Sequence, residues 1–167
     1  MKPEILSITN IGPFIGKHTI DFTSLDSIFL VCGKTGAGKT TIFDAISYVF
    51  YSKPQGGRAS IVRTLRSQFA ADSESAEVEL VFTMGTAKYK ILRRLPFLRP
   101  GKKTETPEEV ELSEWKDGEW SDLTSTNKSD TDKKILGIIK LREKEFSRIV
   151  LLPQGEFAEF LKAGSNE

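Results

Sequence analysis

The stretch "GKTGAGKTT" occupies residues 33–41, between the apolar run "SIFLVC" of residues 27–32 and the run "IFDAISYVF" of residues 42–50. It satisfies the pattern G-x-x-x-x-G-K-[ST] in full. Glycines let successive backbone N–H groups converge on one anion, and the following helix adds the positive end of its dipole. The sequence therefore predicts a loop that binds the phosphates of a nucleoside triphosphate, with Lys39 as a mobile cation and the Thr40 hydroxyl as a ligand of Mg²⁺.

The composition is that of an ordinary globular domain. The chain has 167 residues, of which 38% are hydrophobic and 28% charged, which suits one domain with its own core. The formal net charge of +1 gives no overall attraction to nucleic acid or membrane, so such contacts need local patches. Cys32, the single cysteine, cannot form an internal disulfide and is predicted to be a small core residue. No apolar run approaches the roughly 20 residues of a membrane span, so we expect a cytoplasmic protein.

Hydrophobic periodicity predicts an α/β fold. Strands are expected at residues 4–12, 18–22 and 28–32, the last one buried on both faces. A helix is expected over residues 39–50, ending near Ser52 because Pro and Gly follow. These elements belong to a predicted P-loop core, residues 1–75.

Alternating residues predict an antiparallel β subdomain over residues 76–124. The pair Asp117-Gly118 predicts a type I′ hairpin turn, with Trp115 and Trp120 as a cross-strand pair. Residues 125–167 are expected to form a helical segment, in which Ile135, Ile138 and Ile139 share one helix face.

Two motifs that complete an ATP-hydrolysing site are missing. The run "GIIKLREKE" at residues 137–145 is interrupted by Lys140, and "RIVLLPQ" at residues 148–154 ends in Pro-Gln, so neither is an aliphatic strand that ends in Asp. The sequence also contains no "LSGG"-like stretch. We therefore expect the catalytic component to lie outside this chain, which is predicted to be a fragment.

Six stretches, taken in order, point to one family. They are "TNIGPFIGKHTIDF" (9–22), "GKTGAGKTTIFDAISYVFY" (33–51), "TLRSQFA" (64–70), "AEVELVF" (76–82), "YKILRR" (89–94) and "IVLLPQGEFAEFL" (149–161). Together they closely resemble the N-terminal half of the SbcC family, which are ABC-type, SMC-like DNA-repair ATPases. The resemblance covers nearly the whole chain, and "LLPQGEFAEFL" is its most specific part.

The resemblance implies an ATPase head assembled from the two ends of one polypeptide, separated by a long antiparallel coiled coil. The N-terminal half would carry the phosphate loop and the Q-loop, and the C-terminal half the signature motif, the acidic strand and the switch His. We therefore expect an ABC-type head lobe with an antiparallel β subdomain, nearly inactive alone and an ATPase when completed. The implied partners are the C-terminal half, a second head, an SbcD-type Mn²⁺-dependent nuclease and double-stranded DNA, in the cytoplasm near the bacterial nucleoid.

The resemblance also assigns site residues, with ATP and Mg²⁺ as cofactors. Gln154 would be the Q-loop glutamine, which reaches Mg²⁺ and the attacking water, and Lys39 would be catalytic with it. The stretch 66–70 is expected to border the adenine. The residues implied in nucleotide binding are Gly33, Thr35, Gly36, Ala37, Gly38, Lys39, Thr40, Thr41 and Gln154.

Three positions depart from the family's more usual residues. Lys34 and Thr40 stand where Pro and Ser are more usual, and Thr40 keeps the hydroxyl. The resemblance implies that residues 10–13 form the turn near the nucleotide. Gly12 stands where many relatives carry Arg, so no phosphate contact is assigned to it.

Residues 88–103 contain seven Lys or Arg and no acid. Such a stretch is typical either of a contact with the DNA backbone or of a solvated hairpin rim. We expect some of its cations to contact DNA when two heads engage. The candidates are Lys88, Lys90, Arg93, Arg94, Lys102 and Lys103.

Two other classes of protein remain open. A stand-alone P-loop kinase or GTPase-like switch would also carry this loop, and "NKSD" at residues 127–130 has the letters of a guanine-specificity motif, although it follows a polar segment. A relative that binds nucleotide without hydrolysing it is the third class, and the retention of Lys39, Thr40 and Gln154 argues against it.

Overall fold

A computed structural model describes residues 1–26, 28–54, 62–71, 73–98 and 101–149 of the chain. Gln154 and the stretch "LLPQGEFAEFL" lie outside the described residues, as do residues 55–61. The predictions made for them therefore stay predictions.

The centre of the fold is an antiparallel six-stranded sheet in the order β2-β1-β3-β4-β7-β8. A separate two-stranded arm, β5–β6, lies between β4 and β7 in the sequence. The strands are β1 Lys2–Ile11, β2 Phe14–Asp21, β3 Glu77–Met84, β4 Ala87–Arg94, β5 Phe97–Leu98, β6 Glu105–Thr106, β7 Glu109–Lys116 and β8 Glu119–Asp122.

The described helices are α1 Lys39–Tyr51, a 3-10 turn at Val62–Leu65, α2 Lys128–Ile139 and α3 Glu143–Ile149. Helix α1 contacts β1, β3 and β4, and α2 contacts β7 and α1. None of the helices in the described part of the chain has the length and apolarity that a bilayer crossing requires.

One hydrophobic core joins the sheet to these helices. Leu6, Leu80 and Leu112, which come from three different strands, are fully buried within it. At its centre the Phe50 ring of α1 meets the Phe82 ring edge-on, at 5.3 Å between centroids. The alternation of apolar residues along the strands explains this arrangement, because it places them on the face that the helices cover.

Most of the predicted elements are confirmed. Helix α1 begins at Lys39 as expected, and Ser52 follows its last residue with a left-handed φ of 60°. Asp117 and Gly118 have φ values of 52° and 87°, as a type I′ turn requires. Trp115 pairs with Trp120 across that hairpin, at 5.1 Å between ring centroids.

The antiparallel strands do not form a sheet of their own. Strand β1 pairs with β3 in a register that joins Leu6 to Leu80 and Ile8 to Val78. The six-stranded sheet therefore crosses the boundary that we placed between residues 75 and 76.

The predicted strand at residues 28–32 is wrong for this structure. None of these residues is assigned to a strand, and the side chains of Ile28 and Leu30 are 89% and 84% exposed. Cys32 is also exposed, so its prediction as a core residue is wrong. The physical reason is that an apolar strand needs neighbours that cover it, and within the described residues none pairs with this segment.

Candidate nucleotide site

The phosphate loop ends on an open helix N-terminus. Gly36 and Gly38 have φ values of 84° and 95°, which favour glycine. Gly38 is the N-cap of α1, and neither a side-chain cap nor an acidic residue occupies the first turn. The N–H groups of that turn therefore keep their capacity to bind an anion.

Lys39 turns its ammonium group back over the loop. Its Nζ donates to the carbonyl oxygens of Gly33 at 2.7 Å and Lys34 at 2.9 Å. These two hydrogen bonds hold the Lys39 ammonium group against the loop. Gly33, Thr35 and Thr40 are exposed, so a phosphate can approach the loop from solvent. These features fit a triphosphate with Mg²⁺, for which the Thr40 hydroxyl supplies a hard oxygen ligand.

The turn between β1 and β2 packs directly on this helix end. A Cβ at Gly38 would lie 2.8 Å from ring atoms of Phe14 and from Pro13 Cγ. A Cβ at Gly12 would lie 2.8 Å from Thr41 Cγ2. The turn packs closely against the loop because Gly12 of the turn and Gly38 of the loop carry no Cβ atom at the points of contact.

Asn10 fixes the conformation of that turn. It is 3% exposed and has a φ of 54°. Its Oδ1 accepts from the Gly16 N–H at 2.8 Å, and its Nδ2 donates to the Ser75 carbonyl at 2.9 Å and to Glu74 Oε2 at 3.2 Å. One side chain thus joins the turn to the segment that leads into β3. Sequence reasoning missed this role, although "NIGP" is a recognisable turn signal.

The segment at residues 62–71 lies beside the same turn. The Gly12 N–H donates to the Leu65 carbonyl at 2.7 Å, and the Ser67 N–H donates to the Asn10 carbonyl at 2.8 Å. Arg66 Nη2 donates to the Ala71 carbonyl, while its Nη1 is buried and has no hydrogen-bond partner among the described residues. The expectation that residues 66–70 border the adenine stays a prediction.

Apolar side chains are exposed beside the phosphate loop. Ile28 and Leu30 precede it, and Phe43 of α1 follows it at 38% exposure. Phe29 is 46% exposed, and its ring centroid lies 5.7 Å from that of Phe22. Large exposed apolar patches mark surfaces that another chain or segment covers.

The prediction that Arg93 contacts DNA is wrong. Its side chain is fully buried, so no DNA phosphate can reach it. The guanidinium donates to the Val49 carbonyl at 3.1 Å, to Glu108 at 3.1 Å and to Asp132 at 2.7 Å. Arg93 therefore joins the end of α1 to β4 and α2. Burial, followed by the charge of Glu108, raises the pKa of the neighbouring Tyr48 hydroxyl.

Glu108 is the acceptor at the centre of this cluster. Besides Arg93, it accepts from Ser52 Oγ at 2.6 Å and pairs with Lys128 at 3.0 Å. Lys128 also pairs with Asp132 at 3.2 Å. The four charged groups compensate one another, which is the condition under which a buried arginine is stable.

Arg94 is held by three carboxylates. Its guanidinium contacts Glu77 at 3.1 Å, Glu109 at 3.2 Å and Glu111 at 2.7 Å. Burial opposes its charge, but the hydrogen bonds to these carboxylates outweigh that effect and raise its pKa. Since the carboxylates outnumber the cation, this spot attracts no DNA phosphate.

The remaining DNA candidates differ in availability. Lys88 pairs with Glu4 at 2.7 Å, and Lys90 lies over the Trp120 ring at 4.7 Å. Lys102 and Lys103 are exposed at the tip of the β5–β6 arm and form no salt bridge with any described residue.

The letters "NKSD" at residues 127–130 form the start of a helix. Asn127 is the N-cap of α2, and its carbonyl accepts from the Asp130 and Thr131 N–H groups. Asp130 pairs with Lys133 at 2.9 Å. These residues serve a helix N-terminus on α2, which weakens the GTPase alternative.

Comparisons with known proteins agree with this geometry. The chain is similar to the SbcC component of the SbcCD nuclease of Treponema pallidum (strain Nichols), at 52% identity over 167 residues. It is also similar to proteins of the same name from Staphylococcus aureus strains MRSA252 and JH9, at 36% identity over 169 residues. Each match covers 100% of this chain but only 16% of the relative.

A protein family described as "AAA domain" matches residues 6–167, which includes the phosphate loop, most of the sheet and all the described helices. A nucleotide-binding loop at an open helix N-terminus is what such a domain needs. The chain belongs to the AAA domain family.

Proposed function

We propose that this chain is the ATP-binding half of a DNA-repair ATPase head, which a C-terminal half of the same ATPase completes. The phosphate loop and the family membership support ATP binding. The similarity to proteins named as components of a nuclease supports a role in DNA repair.

The observation that carries the proposal is the exposure of Ile28 and Leu30, at 89% and 84%, directly before the phosphate loop. Burying two such side chains is worth about 1.5–3 kcal/mol each. A strand of a C-terminal half that paired with residues 28–32 would cover them and complete the central strand that the sequence pattern predicts. The chain spans 16% of the relatives' length, so such a segment has ample room in a protein of their size.

In the proposed site the backbone of residues 33–41 binds the phosphates. Lys39 neutralises charge on the β- and γ-phosphates, and Thr40 ligates Mg²⁺. Mg²⁺, when bound, would supply positive charge that offsets the negative charge of the phosphates. Gln154 orients the attacking water, and the signature motif of a second head closes the site. Binding of ATP holds two heads together, hydrolysis releases them, and this cycle controls the access of an Mn²⁺-dependent nuclease partner to double-stranded DNA.

The test measures ATP hydrolysis by the chain alone and after addition of the C-terminal half. We expect negligible turnover alone and a large rise on reconstitution, because the acidic strand and the signature motif come from the added half. Leu30→Asp should weaken the reconstitution, and the matched exposed variant Leu136→Asp on α2 should not. Substantial hydrolysis by the chain alone would defeat the proposal.

A kinase or GTPase-like switch is the second candidate. Titration of the reconstituted protein with ATP and GTP separates it from the first. We expect preference for ATP, and tighter binding of GTP would favour the switch.

For DNA, we propose Lys102 and Lys103 as backbone contacts, because both are exposed and neither forms a salt bridge with a described residue. A double Lys102→Glu, Lys103→Glu variant should weaken the DNA binding of engaged heads at low salt, because it replaces attraction by repulsion. A Lys133→Glu, Lys134→Glu variant on α2 is the control. Equal DNA affinity of the two variants would mean that the β5–β6 arm does not contact DNA.

A further inference from the structure

Lys34 is the one residue of the phosphate loop to which no role has been given. Its side chain is exposed. The inference drawn for it depends on the proposed function, because it concerns the same nucleotide site.

The backbone places Lys34 next to the catalytic lysine. Its carbonyl oxygen lies 2.9 Å from Lys39 Nζ, and the same oxygen accepts from the Ala37 N–H at 3.2 Å. Standard backbone dimensions then put the Lys34 Cα within about 5.5 Å of the Lys39 ammonium. A flexible four-carbon stem spans that distance, so both ammonium groups can reach one anion.

The charges around the loop are unbalanced. Residues 33–43 contain two lysines, the nearest acidic residue, Asp44, is buried in α1, and the open N-terminus of α1 adds partial positive charge. Within the described residues neither Lys34 nor Lys39 forms a salt bridge. The second lysine matches the additional charge of a terminal phosphate.

We propose that Lys34 is a contact for the terminal phosphate of the nucleotide, and that it makes the loop prefer a triphosphate over a diphosphate. The preference follows from the positive charge that Lys34 adds beside Lys39. It would help the head to release the diphosphate once hydrolysis has removed the terminal phosphate.

The test compares the affinities of ATP and ADP, each with Mg²⁺, for the full-length protein and for Lys34→Ala. We expect about fivefold weaker binding of ATP, which is the scale of one ion pair at about 4 Å in water, and little change for ADP. Lys34→Arg should retain most of the preference, because it keeps the charge. Rising salt should reduce the difference between the parent protein and Lys34→Ala.

Two further variants make the outcome specific. Lys133→Ala removes the same charge from α2, where the side chain is 74% exposed, and should leave both affinities unchanged. Lys39→Ala should weaken both nucleotides strongly. If Lys39→Ala binds ATP normally, the proposed function itself fails. If Lys39→Ala fails to bind while Lys34→Ala keeps the parent ratio of ATP to ADP affinity, or loses both equally, the inference about Lys34 is overturned.

Discussion

Leucines on the sheet and leucines beside the phosphate loop have opposite environments. Leu80 and Leu112 of the sheet are fully buried, whereas Leu30 is 84% exposed and Leu25 is 42% exposed. The sheet obtains its neighbours from this chain, through β1, β4 and the two long helices. The segment before the loop has no strand to pair with among the described residues. The comparison teaches that the sheet builds its core within this chain, whereas the segment before the phosphate loop leaves its apolar side chains exposed.

Among the variants that test this contrast, we expect Arg93→Ala to lower the free energy of unfolding most. Arg93→Ala removes a fully buried guanidinium and leaves Lys128 as the remaining partner of Glu108 and Asp132, which costs about 3–5 kcal/mol in the free energy of unfolding. Urea denaturation of the chain measures it. Arg94→Ala, on the exposed face with its three carboxylates, is the control and should cost much less. Similar losses of stability in Arg93→Ala and Arg94→Ala would contradict the different environments assigned to the two arginines.

A pair of leucine truncations measures the contrast directly. Leu80→Ala should lower the free energy of unfolding by about 2–5 kcal/mol, because it opens a cavity in a packed core. Leu30→Ala should change it by less than about 0.5 kcal/mol in the chain alone, because the side chain is already in water. Thermal unfolding of both variants checks this. A large loss at Leu30 would mean that the segment is buried in solution.

Two glycines of the loop sharpen the comparison further. Gly38→Ala places a methyl group against Phe14 at a φ of 95° and should cost about 1–3 kcal/mol together with nucleotide affinity. Gly36→Ala has a similar φ of 84° but no atom within 4 Å, so only the conformational cost remains. Calorimetric unfolding of Gly38→Ala and Gly36→Ala, with and without ATP, measures the loss of stability and of nucleotide affinity in each variant. Equal losses would mean that the contact with the β1–β2 turn is unimportant.

The smallest expected effect is a dependence on alkaline pH. Burial first, and the charge of Glu108 second, raise the pKa of Tyr48 above its ordinary value near 10. A raised folded-state pKa contributes stability that is complete below about pH 10 and is lost as the pH rises further, by about 1 kcal/mol half a unit higher. Denaturation at about pH 9 and about pH 10.5 should show this loss, and Tyr48→Phe should reduce it. An unchanged slope in Tyr48→Phe would assign the effect to other groups.

The sequence predicts best what depends on local pattern. Helix α1, the Asp117-Gly118 turn and the pairing of Trp115 with Trp120 all follow from residues close in sequence. The strand at residues 28–32 failed because strand formation depends on neighbours that the pattern does not name. Arg93 was taken for part of a basic surface, because its partners Glu108 and Asp132 are distant in sequence.

The candidate site was predicted in the same uneven way. The phosphate loop and its helix are recognisable from one motif. The resemblance places the turn of residues 10–13 near the nucleotide, but its direct packing against α1 was not predicted, since that packing depends on the missing Cβ atoms of Gly12 and Gly38. The conformation of Asn10, with its positive φ, is likewise set by contacts with Glu74 and Ser75.

The pairing of β1 with β3 has a consequence for folding. The whole segment from Phe22 to Ala76, which includes the phosphate loop and α1, separates two strands that are neighbours in the sheet. Closing so long a segment costs entropy before any β1–β3 hydrogen bond forms, whereas the β3–β4 and β7–β8 hairpins form locally. We therefore expect the β1–β2 hairpin, although it precedes the other strands in the chain, to join the sheet last.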